Sequence, residues 1–411
     1  MARTDTTQGL GSLMERGAKG GLRGSNQSGI RAHNERLVLS LVRSEGALAK
    51  SDIARITGLS AQTVSVIMRA LEADGLLVRG EPIRGRIGQP SVPISLNPEG
   101  AFFFGLKVGR RSVDLILTDF LGQIIAQRRQ TYRYPTHDAV AVFAARELPA
   151  MIAGMPARLR SRIGGLGIAM PGQLWNWAQY LDAPQAEMDD WRDRDIRAEI
   201  AAFCPAPVYV QNDATAACGA ELVFGTKPRP KDFLYFFIAY FVGGGLVLNG
   251  QLFTGRTGNA AALGSMPVPG RDGTTRQLIS VASMASLETY LAAAGHSSDG
   301  LWDTPPDWTM PEPIVDRWIS EAAAGLGHAT LAAASVVDIE AALIDGWMPA
   351  EIRARLVERT RAALARLDCA GIEPPRIDEG TAGAQARSLG AAAIPLSQRY
   401  LVDQNAFLKD G

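Results

Sequence analysis

Between Ser60 and Arg69 the chain reads SAQTVSVIMR. Gln62, Thr63, Ser65 and Arg69 carry short or forked hydrogen-bonding groups. Val64, Ile67, Met68 and Leu71 recur at i, i+3, i+4 and i+7. That spacing predicts a helix with one apolar side and one polar side. Ser60 can cap it by accepting from the free N–H groups of its first turn. Polar groups at a helix start, just after a tight turn at Gly58-Leu59-Ser60, are what contact with base edges in a major groove requires. Further on, Arg79, Arg84 and Arg86 share a Gly/Pro-rich loop with Gln89. Guanidinium groups on such a tip suit phosphate contact or minor-groove insertion. Two amphipathic helices packed for core reasons and a solvated charged loop would look the same, so the surrounding chain has to decide. A second constellation is Asn212-Asp213, at the end of the strand-like Val208–Gln211 and before a helix-like ATAACGAELVFG. Ligands gather at the carboxyl ends of strands in such sheets, and paired amide and carboxylate acceptors suit vicinal hydroxyls.

The elements that would hold the first constellation can be read outward from it. Ile53, Ala54 and Ile56 give the preceding segment an apolar side. Leu37, Val38, Leu41 and Val42 do the same for a helix ending near Gly46. Leu76–Val78 and Val92–Leu96 read as strands flanking the arginine loop. Three helices and a two-stranded wing make a winged helix-turn-helix over residues 29–98. Residues 1–28, rich in Gly, Ser, Thr, Arg and Gln, read as a disordered tail. The first 100 residues hold 13 basic and 9 acidic side chains, the rest 29 and 33. A basic head on an acidic body fits a DNA-binding module fused to something else.

Length and apolar content allow two or three domains with full cores. The three cysteines, Cys204, Cys218 and Cys369, show no CxxC spacing, so neither a disulfide framework nor a cysteine zinc site is expected. No apolar run is long enough to span a bilayer and no secretory leader is apparent, so a cytoplasmic protein is expected. After Asn97-Pro98-Glu99-Gly100 the pattern runs strand, turn, strand, turn, strand, then a helix around Ala139–Ile152 and a buried strand over Ile163–Ala169. A similar series comes next. Phe233–Tyr240 and Gly245–Asn249 read as strands with Gly243-Gly244-Gly245 between them. A Trp/Pro-rich loop covers residues 300–311, then a long helix, a strand ending in Asp345-Gly346, a helix, a short strand and a last helix over Ala384–Leu396. The order describes an internally duplicated α/β body.

The stretches AHNERLVLSLV, DIARITGLSAQTVS, GRIGQPS, MPG, NDATAACGAE, GGGLVLNGQLFTG, SLETY and SLGAAAIPL together resemble the ROK family (repressor, open reading frame, kinase) over nearly the whole chain. The resemblance implies a two-lobed, actin-like α/β body (ribonuclease H-like, sugar kinase type). Lobe one would cover residues 101–212, lobe two 213–383, and a C-terminal segment 384–411 would return to lobe one. The family holds sugar kinases and transcriptional regulators of the xylose and N-acetylglucosamine repressor type; the DNA-binding head implies the second branch. Gly172, Asn212, Asp213 and Glu288 match sugar-binding positions, and Asp213 stands where the kinases keep their catalytic base, with a helix cap as its structural alternative.

The departures are as informative. The family's first phosphate loop, G-x-D-x-G-G-T, aligns with Gly105-Leu106-Lys107-Val108-Gly109-Arg110-Arg111. The second, G-T-G-x-G-G-G, aligns with Ala239-Tyr240-Phe241-Val242-Gly243-Gly244-Gly245. The adenosine-side glycine pair is Asp345-Gly346, followed by Trp347. Phosphates need small residues and free backbone N–H groups at such loops. The zinc-binding histidine of A-G-E-x-G-H is Ser265, its glutamate is Ala262, and no cysteine lies between Cys218 and Cys369. The expectation is therefore a DNA-binding regulator without cofactor, metal or catalytic residue. A sugar or polyol would control it, operator DNA would be its partner, and it would act as a homodimer or homotetramer away from membranes. An active kinase with a DNA-binding head is the alternative, and a ligand-dead DNA-binding scaffold a third.

Overall fold

The computed structural model describes residues 27–82, 92–181, 183–226, 228, 230–270, 273–302 and 308–402. The N-terminal tail, the wing tip with Arg84, Arg86 and Gln89, and the end of the chain lie outside them. The chain divides into two compact units. One comprises residues 1–168, 173–210 and 392–411; the other comprises 169–172 and 211–391.

The first unit opens with helices α1 (Gln27–Glu45), α2 (Lys50–Thr57) and α3 (Ala61–Ala73), then an antiparallel pair, β1 (Leu77–Arg79) and β2 (Ile94–Leu96). α1 begins ten residues before Leu37, the first of its apolar set; β1 is shifted by one residue from its apolar run, and β2 is two residues shorter than its own. Gly58 ends α2 at φ 72, its N–H donating to the Ala54 carbonyl. An L side chain would be strained there. Ser60 caps α3, its Oγ accepting from the Thr63 N–H at 3.1 Å. Val38, Val42, Ile53, Val64, Ile67, Met68, Leu71 and Ile94 close the core of this trihelical head, all nearly or fully buried.

The head is sewn to the sheet and helices of the same unit. Arg43 of α1 is half-buried, donates to the Phe120 carbonyl at 2.6 Å and lies over the Phe120 ring at 5.1 Å. Burial pulls its pKa down to about 10. Arg162 donates to the carbonyls of Gly75 and Glu99, and Arg158 pairs with Glu99 at 2.8 Å. Near the other end of the chain, Tyr400 packs edge-on against Phe103 and Phe120, and the Val402 N–H donates to Ser40 Oγ.

Strands β3 (Phe102–Val108), β4 (Ser112–Thr118) and β5 (Ile124–Thr131) form an antiparallel meander. After α4 (His137–Gly154) come β6 (Ile163–Met170), helices α5 (Ala178–Leu181), α6 (Gln185–Asp193) and α7 (Ile196–Ala201), and β7 (Val208–Asn212). The sheet order is β5-β4-β3-β6-β7. β3 and β4 are buried at every position, which explains runs without alternation. α5 and α6 escape the sequence reading because α6 buries only Met188 and Trp191, too few for a visible period.

The second unit contains α8 (Asp213–Phe224), β8 (Phe233–Ile238), β9 (Val242–Leu248), β10 (Gln251–Phe253) and the small hairpin β11 (Pro267–Pro269) and β12 (Thr275–Gln277). Beyond these come helices α9 (Ile279–Ala282), α10 (Met284–Ala293) and α11 (Glu312–Ala334), strand β13 (Ala341–Gly346), α12 (Ala350–Leu364) and β14 (Arg376–Glu379). A final helix, α13 (Ala386–Tyr400), gives its first six residues to this unit. The sheet order β10-β9-β8-β13-β14 repeats that of the first unit strand for strand. The duplication expected from element order is thus present in topology. One local expectation fails. Gly243, Gly244 and Gly245 lie inside β9, not in a turn between strands. A Cβ on Gly245 would stand 2.3 Å from that of Cys218 on α8. These glycines let helix and sheet approach each other; they do not bend the chain. Among the described residues no helix is long and apolar enough to cross a membrane, and no three His, Cys, Asp or Glu side chains converge on a metal position.

Candidate functional site

On α3 the polar residues singled out from sequence share one end and one side. Gln62 and Arg69 are exposed, and Thr63 and Ser65 are half-buried at the flank. Ser60 and Thr63 join hydroxyls at 2.8 Å. Arg69 donates Nε–H to the Ser65 carbonyl at 3.2 Å. Val64, Ile67, Met68 and Leu71 occupy the opposite side, against the core. The helix therefore offers a hydrogen-bonding face held by a capped first turn. Sequence reading passed over Val66 because it was matched to neither face. Its helical phase places it on the exposed side, and it is 45% exposed there. Arg79, grouped with the wing arginines, instead forms a fork with Glu72 of α3, with contacts of 2.7 to 3.1 Å. It braces the wing against the helix.

In the second unit, Asn212 and not Asp213 is the helix cap. Its Oδ1 accepts from the N–H groups of Ala214 and Thr215 at 3.0 and 3.2 Å. Asp213 is the first helical residue and pairs with Arg387 of α13 at 3.2 Å, both side chains mostly buried. The Arg387 guanidinium also lies over the Phe237 ring, and its Nε is buried without a hydrogen-bond partner. Gly172 is exposed, and a Cβ there would stand 4.0 Å from the Asn212 amide nitrogen. Glu288 stands on α10, where it accepts from Trp302 Nε1 at 2.7 Å. Trp302 also touches Tyr240, which packs on Phe241. The structure thus brings Gly172, Asn212 and Asp213 together and sets Glu288 in an aromatic cluster of its own. Trp191 offers no stacking face to a sugar: its ring is buried against His137 and its Nε1–H donates to the Pro135 carbonyl. Arg387 and Trp302 were missed. Neither carries a local motif: Arg387 meets Asp213 across 174 positions, and Trp302 meets Glu288 across 14 through an irregular loop.

Lys107 and Asp345, which align with the phosphate-side and adenosine-side loops of the resemblance, are both met by internal partners. Lys107 is 8% exposed. It donates to Asp114 at 2.8 Å and to Ser112 Oγ at 3.0 Å, and its Nζ lies 2.8 Å from where a Cβ on Gly109 would be. Burial pushes the Asp114 carboxyl up, but Lys107 and Arg129 outweigh it and hold the group below its usual range. Asp345 is fully buried. It accepts from the Tyr235 hydroxyl at 2.9 Å, the Gly383 N–H at 2.7 Å, its neighbour Gly346 and Arg353. Buried Glu221 accepts from the N–H groups of Thr381 and Ala382, each at 2.8 Å. Backbone donors of residues 381–383, a ready anion cradle, are thereby committed to two internal carboxylates.

Residues 103–295 match the ROK family and residues 33–86 the MarR family. An uncharacterized protein of Sinorhizobium fredii, y4fQ, is 25% identical over 89% of this chain and 91% of its own length. The xylose repressor of Bacillus spizizenii is 24% identical over 59% of this chain and 62% of its own length. A crystal structure of a ROK family transcriptional regulator, a homolog of the E. coli MLC protein, superposes with a TM-score of 0.66 at 21% identity, covering 90% of this chain and 97% of that one. Along the chain, a segment that matches the MarR family thus precedes one that matches the ROK family.

Proposed function

We propose that this protein is a sequence-specific DNA-binding regulator, a repressor of carbohydrate-metabolism genes, controlled by a sugar or polyol held near Asn212 and Asp213. The carrying observation is α3: a capped helix presents Gln62, Thr63, Ser65 and Arg69 opposite its core face. The xylose repressor among its relatives supports a sugar effector. The protein would work in the cytoplasm as a homodimer or homotetramer, with heads placed on half-sites about 34 Å apart. An effector that favours one arrangement of the heads would release DNA.

The test is a gel shift with the chain's own upstream region. Retardation at low salt is expected, and none with folded protein sinks the reading. Gln62→Ala should relax preference for one base pair, by roughly 1–3 kcal/mol of discrimination. Arg84→Ala and Arg86→Ala should weaken all duplexes alike and lower the salt slope by about one each. If both classes behave identically, the assignment of roles is wrong.

The body, in this reading, binds without phosphorylating. The commitment of Lys107 to Asp114 and the closure around Asp345 support this. A coupled assay across hexoses with ATP should show no sugar-dependent ADP. Release of ADP would restore the kinase alternative, in which Asp213 would have to leave Arg387 to accept a proton. A thermal-shift panel of sugars and polyols should find an effector, since a ligand at 100 times its dissociation constant stabilises by about 2.7 kcal/mol. Silence across the panel would favour a scaffold with an inert body.

A further inference from the structure

We propose that Val66 reads a thymine methyl group in the operator, and so fixes one T·A pair in each half-site. This rests on the DNA-binding reading above and adds a base identity to it. Gln62, Val66 and Arg69 succeed one another at steps of four and three, which places them on one stripe of α3. Val64, Ile67, Met68 and Leu71, none more than 3% exposed, form the opposite stripe. Val66 is therefore the centre of the solvent face and not an edge of the core. A single exposed aliphatic side chain on a protein surface is ordinary. This one lies between an amide and a guanidinium on the face that would enter the groove.

The chemistry of the groove then selects the base. A valine side chain can neither donate nor accept a hydrogen bond. Set against guanine O6 and N7, adenine N6 and N7, or cytosine N4, it would strip water from polar edges and return nothing. Thymine alone among the four bases presents a methyl group in the major groove, beside its O4 acceptor. Apolar contact there gains from the hydrophobic effect without leaving a polar partner unmet. Gln62, one turn toward the helix start, can engage a neighbouring base through its paired donor and acceptor. The expected half-site has a thymine next to the base that Gln62 reads.

The experiment starts by selecting duplexes from a random pool with the full-length protein. Each thymine of the selected site is then replaced in turn by deoxyuridine, which lacks only the methyl group. One thymine per half-site should lower affinity about fourfold when demethylated, the ratio that burial of one methyl corresponds to. Val66→Ala should bind the thymine site about as weakly as the wild type binds a site with the thymine of both half-sites replaced by deoxyuridine, and should be indifferent to either replacement. Val66→Thr, which keeps one methyl, should fall between the two. Circular dichroism and thermal melting confirm that the variants fold, as the exposure of the site leads one to expect. Val66→Ala binding at wild-type affinity, or losing as much as the wild type on demethylation, would overturn the inference. Failure of the wild type to enrich any sequence is a separate result: it sinks the DNA-binding reading and takes this inference with it.

Discussion

Asp345→Ala should destabilise the second unit by roughly 3–5 kcal/mol, the range found when one partner of a buried charged pair is removed. The carboxylate is fully buried and serves four donors: Tyr235, Arg353, Gly346 and Gly383. Alanine leaves the fully buried Tyr235 hydroxyl and two backbone N–H groups without their acceptor, and leaves the Arg353 guanidinium with Glu379 alone. Tyr235→Phe removes only one of these bonds, together with its donor, and should lower stability by about 1 kcal/mol. Urea denaturation of the three proteins checks the ranking. Because the sites share a network, the double variant should lose less than the sum of the two single losses. Equal, small effects would mean that the network contributes little.

Gly390→Ala should have an effect of similar size for a steric reason. A Cβ built on Gly390 would lie 1.9 Å from the Ala216 carbonyl oxygen and 2.3 Å from its carbon. Both obstacles are backbone, so no side chain can swing aside, and α13 must move away from α8. Overpacking commonly amounts to about 1–3 kcal/mol and more where nothing yields; the upper end is expected here. Asp213 and Arg387 sit on these same two helices. The substitution should therefore also abolish stabilisation by whichever sugar the thermal-shift panel identifies. Gly154→Ala is the control, since nothing lies within 4 Å of its Cβ position. A Gly390→Ala protein with wild-type melting and wild-type ligand response would contradict the steric explanation.

The features legible before the structure are those the chain writes locally. The cap at Ser60, the apolar phase of α3, the buried strands and the doubled order of elements depend on neighbours within a few residues. The content of the candidate ligand site does not. Arg387 reaches Asp213 across 174 positions, and no spacing rule relates them. Trp302 was visible as part of a Trp/Pro-rich loop, but its bond to Glu288 depends on how that loop returns over α10. The glycines of β9 show the reverse difficulty. They looked like a turn, yet they serve contacts with Cys218 and Leu263, which only the packed helix and sheet disclose. Lys107 is intermediate. Its charge in a stretch that aligns with a phosphate loop was evident, whereas its pairing with Asp114 depends on the antiparallel register of β3 and β4.

The seam between the winged helix and the sheet beside it has a consequence for modularity. Arg43, Gly75 and Glu99 on one side meet Phe120, Arg158 and Arg162 on the other. A chimera cut at the obvious boundary near Asn97 would carry half of these pairs and strand the rest, beginning with the Arg43 guanidinium, which would lose its carbonyl. Heads cannot be traded between such regulators as beads on a string. A graft would have to bring the matching sheet-side residues with it, so head and sheet would have to be moved as one piece.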